Sequence, residues 1–383
     1  MRDYNERLVL SLVRRYGSLS KSDIARMTRL SAQTVSVIMR ELEDAKLLLR
    51  QEPVRGKVGQ PSVPMALDPE GAYFLGLKIG RRSAELVLID FLGQVRGMLR
   101  DSYKYPTPQK TVEFASKAIA KLRGTLDAAQ NSRISGLGIA IPYELWNWAD
   151  AAGAPLEVME EWRNRDIRAD LQPFVDFPVY LENDASAACG AELVFGKTHG
   201  LRDFIYFYIG AFAGGGVVLN GGLYTGQSGN AGAVGSMPVP GEKGEPMQQL
   251  IDVASLATLE KSITDKGGKA DHLWTAPEDW GDLGPELDQW ISKAGQALAY
   301  AIVSASSILD FEAAVIEGWM PAKIRERLVA SVRMAMDEID VEGLNVPSII
   351  EGTVGIHARA LGGASLPLSE RFLIGPAPLL KGN

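Results

Sequence analysis

The chain has 383 residues, of which 46% are hydrophobic and 23% charged, enough for two or three globular domains and outside the range of a disordered or fibrous chain. One cysteine, Cys189, and three scattered histidines, His199, His272 and His357, exclude an intrachain disulfide framework and a multi-thiolate metal site. The net charge of -7 argues against a nucleic-acid partner only until it is divided: residues 1–60 hold 12 Lys+Arg and 7 Asp+Glu, or +5, leaving 28 and 40, or -12, for the rest. A basic head on an acidic body implies two jobs in one chain.

The first segment, MRDYNERLVLSLVRRYG, interleaves acids and arginines with leucines. It predicts an amphipathic helix over 4–16 with Leu8, Leu12 and Val13 buried and Arg7, Arg14 and Arg15 outside. It is not a signal peptide, no run of about 18 apolar residues predicts a membrane span, and a cytoplasmic protein without membrane contact is expected. Gly17 ends this helix, Ser20 caps a short one at 21–28, and Ser31 caps a third. In the third helix Val35, Ile38, Met39 and Leu42 face inward, leaving Gln33, Thr34, Ser36, Val37 and Arg40 outside. Two short helices joined by a tight turn suit entry into a major groove. Gln is suited to adenine, Arg to guanine, and Ser or Thr to bases or phosphates, so Ser31, Gln33, Thr34, Ser36 and Arg40 are candidate DNA contacts. The following LLLRQEPVRGKVGQPSVPMALDP reads as a two-stranded wing with Arg55, Lys57 and Gln60 at its basic tip. The alternative is a three-helix interaction module with a solvated basic face.

Pro64–Pro69 then reads as a linker. Strands are predicted at 72–80, 84–90 and 94–103, a helix at about 109–130, and strands at 135–141 and 178–181. A helix opens at Asp184 and runs to about Phe195, and strands recur at 203–210 and 215–221. Beyond Met247 the chain is mainly helical, with strands near 313–317 and 348–351. The two halves of the body share a plan, and a ligand is expected between them. The boundaries are 1–68 for the head, 69–182 for a first α/β domain completed by 365–383, and 183–364 for a second.

These segments carry a resemblance. SKSDIARMTRLSAQTVSVIMRELEDAKLL, GQPSV, GLKIGRRSAELVLIDFLG, GLGIAIP, YLENDASAACGAELVFG, GAFAGGGVVLNGGLYTG and NAGAVGSMPV occur in the order and spacing of the ROK family of sugar kinases and sugar-responsive repressors. Nearly the whole chain resembles its NagC/XylR-type regulator branch. The resemblance implies an α/β fold, with a winged helix-turn-helix before an actin/hexokinase-like pair of RNase H-like domains, a sugar between those domains, and two Gly-rich hairpins that cradle ATP in the kinases.

Departures from the family pattern set the functional expectation. The phosphate loop Asp-x-Gly-Gly-Thr is replaced around Lys78, Gly80, Arg81 and Arg82. The second loop reads Gly210, Ala211, Phe212. Both losses strike phosphate positioning, on which phosphoryl transfer depends, so no catalytic residue and no nucleotide or other cofactor is expected. Arg81 and Arg82 read as a solvated pair or an anion site. The family's Glu-x-Gly-His is Ala233, Val234, Gly235, Ser236 here and its zinc cysteines are absent, so no metal is expected. Asn183 and Asp184 match the family's sugar-hydroxyl pair; Asp184 is alternatively the N-cap of its helix. Glu144, Trp146 and Trp148 combine a carboxylate with aromatic faces, as a sugar site or as a packed lid, and Cys189 is an inert buried thiol.

The expected function is a non-enzymatic DNA-binding regulator, a repressor of sugar uptake or catabolism genes. Its expected partners are a double-stranded DNA operator, a small-molecule sugar effector and a second copy of itself, as a dimer or tetramer. The alternatives are control by a partner protein or a phosphorylated sugar, and an active ATP-dependent sugar kinase.

Overall fold

The computed structural model describes residues 2–53, 62–149, 153–198, 200–241 and 246–375. By its internal contacts the chain divides into two units, one ending at Glu182 and resumed from Gly363, the other spanning Asn183–Gly362.

The head belongs to the first unit. Helix α1 (Arg2–Tyr16) leads through a two-residue strand β1 (Ser18–Leu19) to α2 (Lys21–Thr28) and α3 (Ala32–Asp44), followed by strands β2 (Leu48–Arg50) and β3 (Met65–Leu67). Both short helices start where local chemistry places them. Ser20 and Asp23 form a reciprocal capping box, and Ser31 Oγ accepts the backbone N–H of Thr34. Val35, Ile38, Met39 and Leu42 bury the inner side of α3.

Three expectations change in the first unit. The stretch 64–69 is no linker, because β3 is the central strand of a three-stranded sheet in the order β1-β3-β2. In α1 the fully buried residues are Val9, Leu10 and Val13, not Leu8 and Leu12. Arg14 is not outside: its guanidinium donates to the carbonyl of Phe91, lies 5.4 Å from the Phe91 ring centroid, and is pushed down to about 10 by burial. The wing tip with Arg55, Lys57 and Gln60 lies outside the described residues.

The rest of the first unit is a five-stranded sheet in the order β6-β5-β4-β7-β8, built from β4 (Tyr73–Ile79), β5 (Ser83–Asp90), β6 (Val95–Ser102), β7 (Ile134–Ile141) and β8 (Val179–Asn183). β4, β5 and β6 pair antiparallel, and β7 joins β4 in parallel after the helix Pro108–Arg123. That helix is shorter than expected. Gly124 caps it, and a new capping box at Asp127 opens the separate turn Ala128–Asn131. Leu75, Leu77, Leu86 and Leu88 pack with Ala115, Ile119 and Leu122 of the helix. The helix Ala358–Phe372 starts in the second unit and ends in the first. At Gly363 it lies so close to β7 that a Cβ on Gly138 would stand 1.9 Å from the carbonyl oxygen of that residue.

The second unit repeats the plan. Its sheet runs β11-β10-β9-β14-β15, from β9 (Phe204–Ile209), β10 (Ala213–Leu219) and β11 (Gly222–Tyr224), with β12 (Pro238–Val239) and β13 (Gln248–Gln249) forming a separate ribbon, then β14 (Ala313–Gly318) and β15 (Ser348–Glu351). Again three antiparallel strands are followed by parallel ones. Alternation along β9 sends Ile205, Phe207 and Ile209 to one core and Phe204, Tyr206 and Tyr208 to another. The first core is covered by the helices Gly284–Ser306 and Ala322–Met336, the second by the helix Asp184–Phe195. The small residues of that last helix allow its close approach, since a Cβ on Gly216 of β10 would meet Cys189 Cβ at 2.6 Å. Burial pushes the Cys189 thiol up, which fits an inert group.

Candidate DNA interface and effector site

On α3, Gln33 and Arg40 are exposed on one face, with Ser31 at its start. Thr34 and Ser36 are half-buried. The hydroxyls of Ser31 and Thr34 are 2.8 Å apart, and Ser36 Oγ accepts a hydrogen bond of 3.0 Å from Lys21 Nζ. The outward polar groups with the longest reach are therefore the Gln33 amide and the Arg40 guanidinium. Lys21, at the first position of α2, is a participant that the α3 pattern alone did not indicate.

At the first Gly-rich hairpin, Lys78 Nζ donates to Ser83 Oγ at 2.8 Å and pairs with Glu85 Oε1 at 3.3 Å, with the two side chains 5% and 2% exposed. Arg100 Nε stands 3.7 Å from the same carboxylate oxygen. The space a Cβ on Gly80 would take is occupied by Lys78 Cε and Nζ at 2.6 and 2.9 Å, and Tyr103 Oη donates to the Gly80 carbonyl at 2.7 Å. Arg81 and Arg82 are half-buried at this turn, not solvated. Glu85 was legible in principle, because in the antiparallel β4–β5 hairpin it stands directly opposite Lys78. At the second hairpin the Gly210 N–H donates to the Phe212 carbonyl, the Gly210 and Ala211 carbonyls accept from Leu256 and Ala257, and the Ala213 N–H donates to Ser255 Oγ at 2.9 Å. Neither turn matches the family's ATP cradle: the first is filled by a cation, and in the second the Gly210 and Ala213 N–H groups are bonded within the protein.

The sugar-pair positions also have internal partners. Asn183, rather than Asp184, caps the helix Asp184–Phe195, its Oδ1 accepting from the N–H groups of Ala185 and Ser186 at 3.0 and 3.2 Å. Asp184 is the first helical residue. Its carboxylate accepts from Arg359 Nη1 at 3.0 Å, with the side chains 15% and 14% exposed, and the guanidinium lies 4.9 Å from the Tyr208 ring centroid. Arg359 was missed, being 175 residues away with no local signal. The stretch Ala233–Ser236 carries a 3-10 turn and offers neither carboxylate nor imidazole, so it does not fit the family's zinc. Among the described residues no group of three or more His, Cys, Asp or Glu is placed to hold a metal.

In the first unit, Glu144 adopts a left-handed backbone (φ 47°) before the 3-10 turn Leu145–Trp148, and its carboxylate accepts from Asn147 Nδ2 at 2.8 Å. Trp146 packs on the hydrophobic core with Arg163 6.0 Å from its ring centroid, and Trp148 Nε1 donates to the Tyr143 carbonyl at 3.1 Å. Glu144, Trp146 and Trp148 thus share one turn, and Asn183 and Asp184 sit together at one helix start.

Fold and sites define a class: a winged helix-turn-helix head on an actin/hexokinase-like α/β body. The model of the ROK family matches residues 74–370, and a winged helix-turn-helix DNA-binding model matches residues 2–48. The chain belongs to the ROK family. It is 26% identical over 97% of its length to the uncharacterized protein y4fQ of Sinorhizobium fredii, covering 92% of that protein. It is 25% identical to the xylose repressor of Bacillus subtilis over 61% of this chain and 60% of the repressor. It is 22% identical to the DNA-binding transcriptional dual regulator NagC of Escherichia coli over 68% of this chain and 62% of NagC. Among solved structures, a ROK family transcriptional regulator homologous to the E. coli MLC protein is similar with a TM-score of 0.70 and 20% identity, covering 97% of this chain and 96% of that one. A ROK family glucokinase from Streptomyces griseus gives 0.61 and 19%, covering 77% and 99%. Among the described residues no helix is long and apolar enough to cross a membrane.

Proposed function

We propose that this protein is a transcriptional repressor whose kinase-like body responds to a sugar without phosphorylating it. The observation that carries the non-catalytic reading is the buried Lys78–Glu85 pair, which occupies the turn where the family's kinases cradle phosphate. A cation fixed there by a carboxylate cannot position a magnesium ion, and phosphoryl transfer has little else to work with. The head, as a homodimer, reads two half-sites through α3. The effector is a small sugar that contacts Asp184, Asn183 or the Glu144–Trp148 turn. It alters operator affinity by the ratio of its affinities for the operator-binding and operator-free states.

The relatives are named for xylose and N-acetylglucosamine, so a panel starts with those two and extends to other pentoses and hexoses. Fluorescence anisotropy of an operator duplex is measured with each sugar that binds in calorimetry; identical affinity with all of them defeats the effector reading. A coupled assay that detects ADP release above background with any sugar defeats the non-catalytic reading.

A second reading, control by a partner protein or a phosphorylated sugar, is favoured by the Asp184–Arg359 pair and the Asn183 cap, which commit the sugar-hydroxyl groups internally. Under it no free sugar raises the melting temperature.

A further inference from the structure

We infer that Val37 reads the 5-methyl group of a thymine, between the polar contacts of Gln33 and Arg40; this rests on α3 being the DNA-reading helix. Gln33, Val37 and Arg40 follow at i, i+4 and i+7, which at 100° per residue places them within about 60° of arc on one helix face. All three are exposed, Val37 at 47%. The inner side of α3 is complete without it, filled by Val35, Ile38, Met39 and Leu42. An exposed mid-helix position gains nothing from a β-branched residue, which restricts χ1 and forms helix less readily than Ala or the straight-chain residues. The other outward hydroxyls on the face are engaged, Ser31 with Thr34 and Ser36 with Lys21.

The chemistry selects the partner. An isopropyl group neither donates nor accepts, so a purine edge or a cytosine amino group opposite it would lose its hydration without a replacement. The one apolar group that an unmodified major groove presents is the thymine 5-methyl. With Gln33 on adenine and Arg40 on guanine or phosphate, the face reads a half-site that contains a thymine beside an adenine contact.

The test starts from duplexes selected from a random library by the full chain. In the enriched duplex each thymine is replaced in turn by deoxyuridine, which removes the methyl and keeps the base pair. Anisotropy titrations of the wild type are expected to show a loss of about fourfold, the worth of one buried methyl-sized group, at one thymine per half-site. Val37→Ala is expected to bind the parent duplex about as weakly as the wild type binds that deoxyuridine duplex, to be indifferent to the substitution, and to melt as the wild type does. If no sequence is enriched, the DNA-reading role of α3 itself fails. If a sequence is enriched but no deoxyuridine lowers affinity, or Val37→Ala keeps the full deoxyuridine penalty, this assignment alone is overturned.

Discussion

Removing one partner of the Lys78–Glu85 pair tests whether it is as desolvated as its geometry states. Lys78→Met keeps the length of the side chain and deletes the ammonium, leaving Glu85 at 2% exposure with Arg100 3.7 Å away and Ser83 without its donor. Breaking a buried pair from one side costs about 3–5 kcal/mol, because the remaining charge stays dehydrated. Arg100, 35% exposed, offsets part of this and puts the expectation at about 3 kcal/mol. With a urea slope of about 3 kcal/mol/M, the unfolding midpoint of β4 and β5, followed by hydrogen exchange of their peptides, falls by about 1 M. The double variant Lys78→Met/Glu85→Leu removes both charges and is expected within about 1 kcal/mol of the wild type, since an apolar pair of similar volume replaces a buried ion pair nearly neutrally. A Lys78→Met protein within about 0.5 kcal/mol of the wild type, or a double variant as unstable as the single one, would refute the argument.

Other expectations follow from single contacts. Ser31→Ala is expected to cost about 1 kcal/mol of head stability through its lost cap. Gln33→Ala, by contrast, should leave the melting temperature unchanged and weaken operator binding by about 1–3 kcal/mol; equal effects of the two on melting would contradict their assigned roles. Gly138→Ala is expected to lower stability by about 3 kcal/mol or more, because its Cβ would meet a backbone carbonyl that cannot give way, at 1.9 Å; an unchanged melt would show that the helix Ala358–Phe372 is not held against β7. Burial, foremost, and the nearby Glu317 raise the Glu192 carboxyl above its ordinary 4.5, against hydrogen bonds from Thr353 and Val354. The folded state therefore holds this proton more tightly, and the stability it contributes is lost as pH rises from about 4.5 through the raised value. Glu192→Gln should flatten that part of the stability–pH curve, and an unchanged slope would count against the assignment.

The elements of this fold that announce themselves locally were legible. Ser20 and Ser31 precede helices as capping residues do, and the runs that became β4, β5 and β9 are dense in aliphatic and aromatic residues. The fold was less legible wherever a distant partner decides. β1 has two residues and exists only because β3 pairs with it, and the same pairing turned an apparent linker at Met65–Leu67 into a central strand. Arg14 sits on a helix flank that reads as solvated, and only Phe91, 77 residues on, makes it interior. At the candidate effector site, Asn183 and Asp184 were identifiable by motif. Which of them caps the helix depends on one residue of register, and the arginine that holds Asp184 comes from the far end of the chain.

The contacts of α1 have a practical consequence for dissecting this protein. Arg7 Nε donates to the carbonyl of Leu373 at 2.6 Å, Ser11 Oγ accepts the N–H of Ile374 at 3.0 Å, and Arg14 reaches the carbonyl of Phe91, whose ring stacks edge-on against Phe372 at 5.0 Å. The wall behind the first helix of the head is thus supplied by residues more than 70 positions away, some of them the last described in the chain. A fragment cut after residue 68 would leave these partners behind and would not reproduce the head as it stands here. A chimera that grafts this head onto another body would have to carry the Phe91 turn and residues 369–374 with it, so the unit of exchange is larger than the winged helix its sequence outlines.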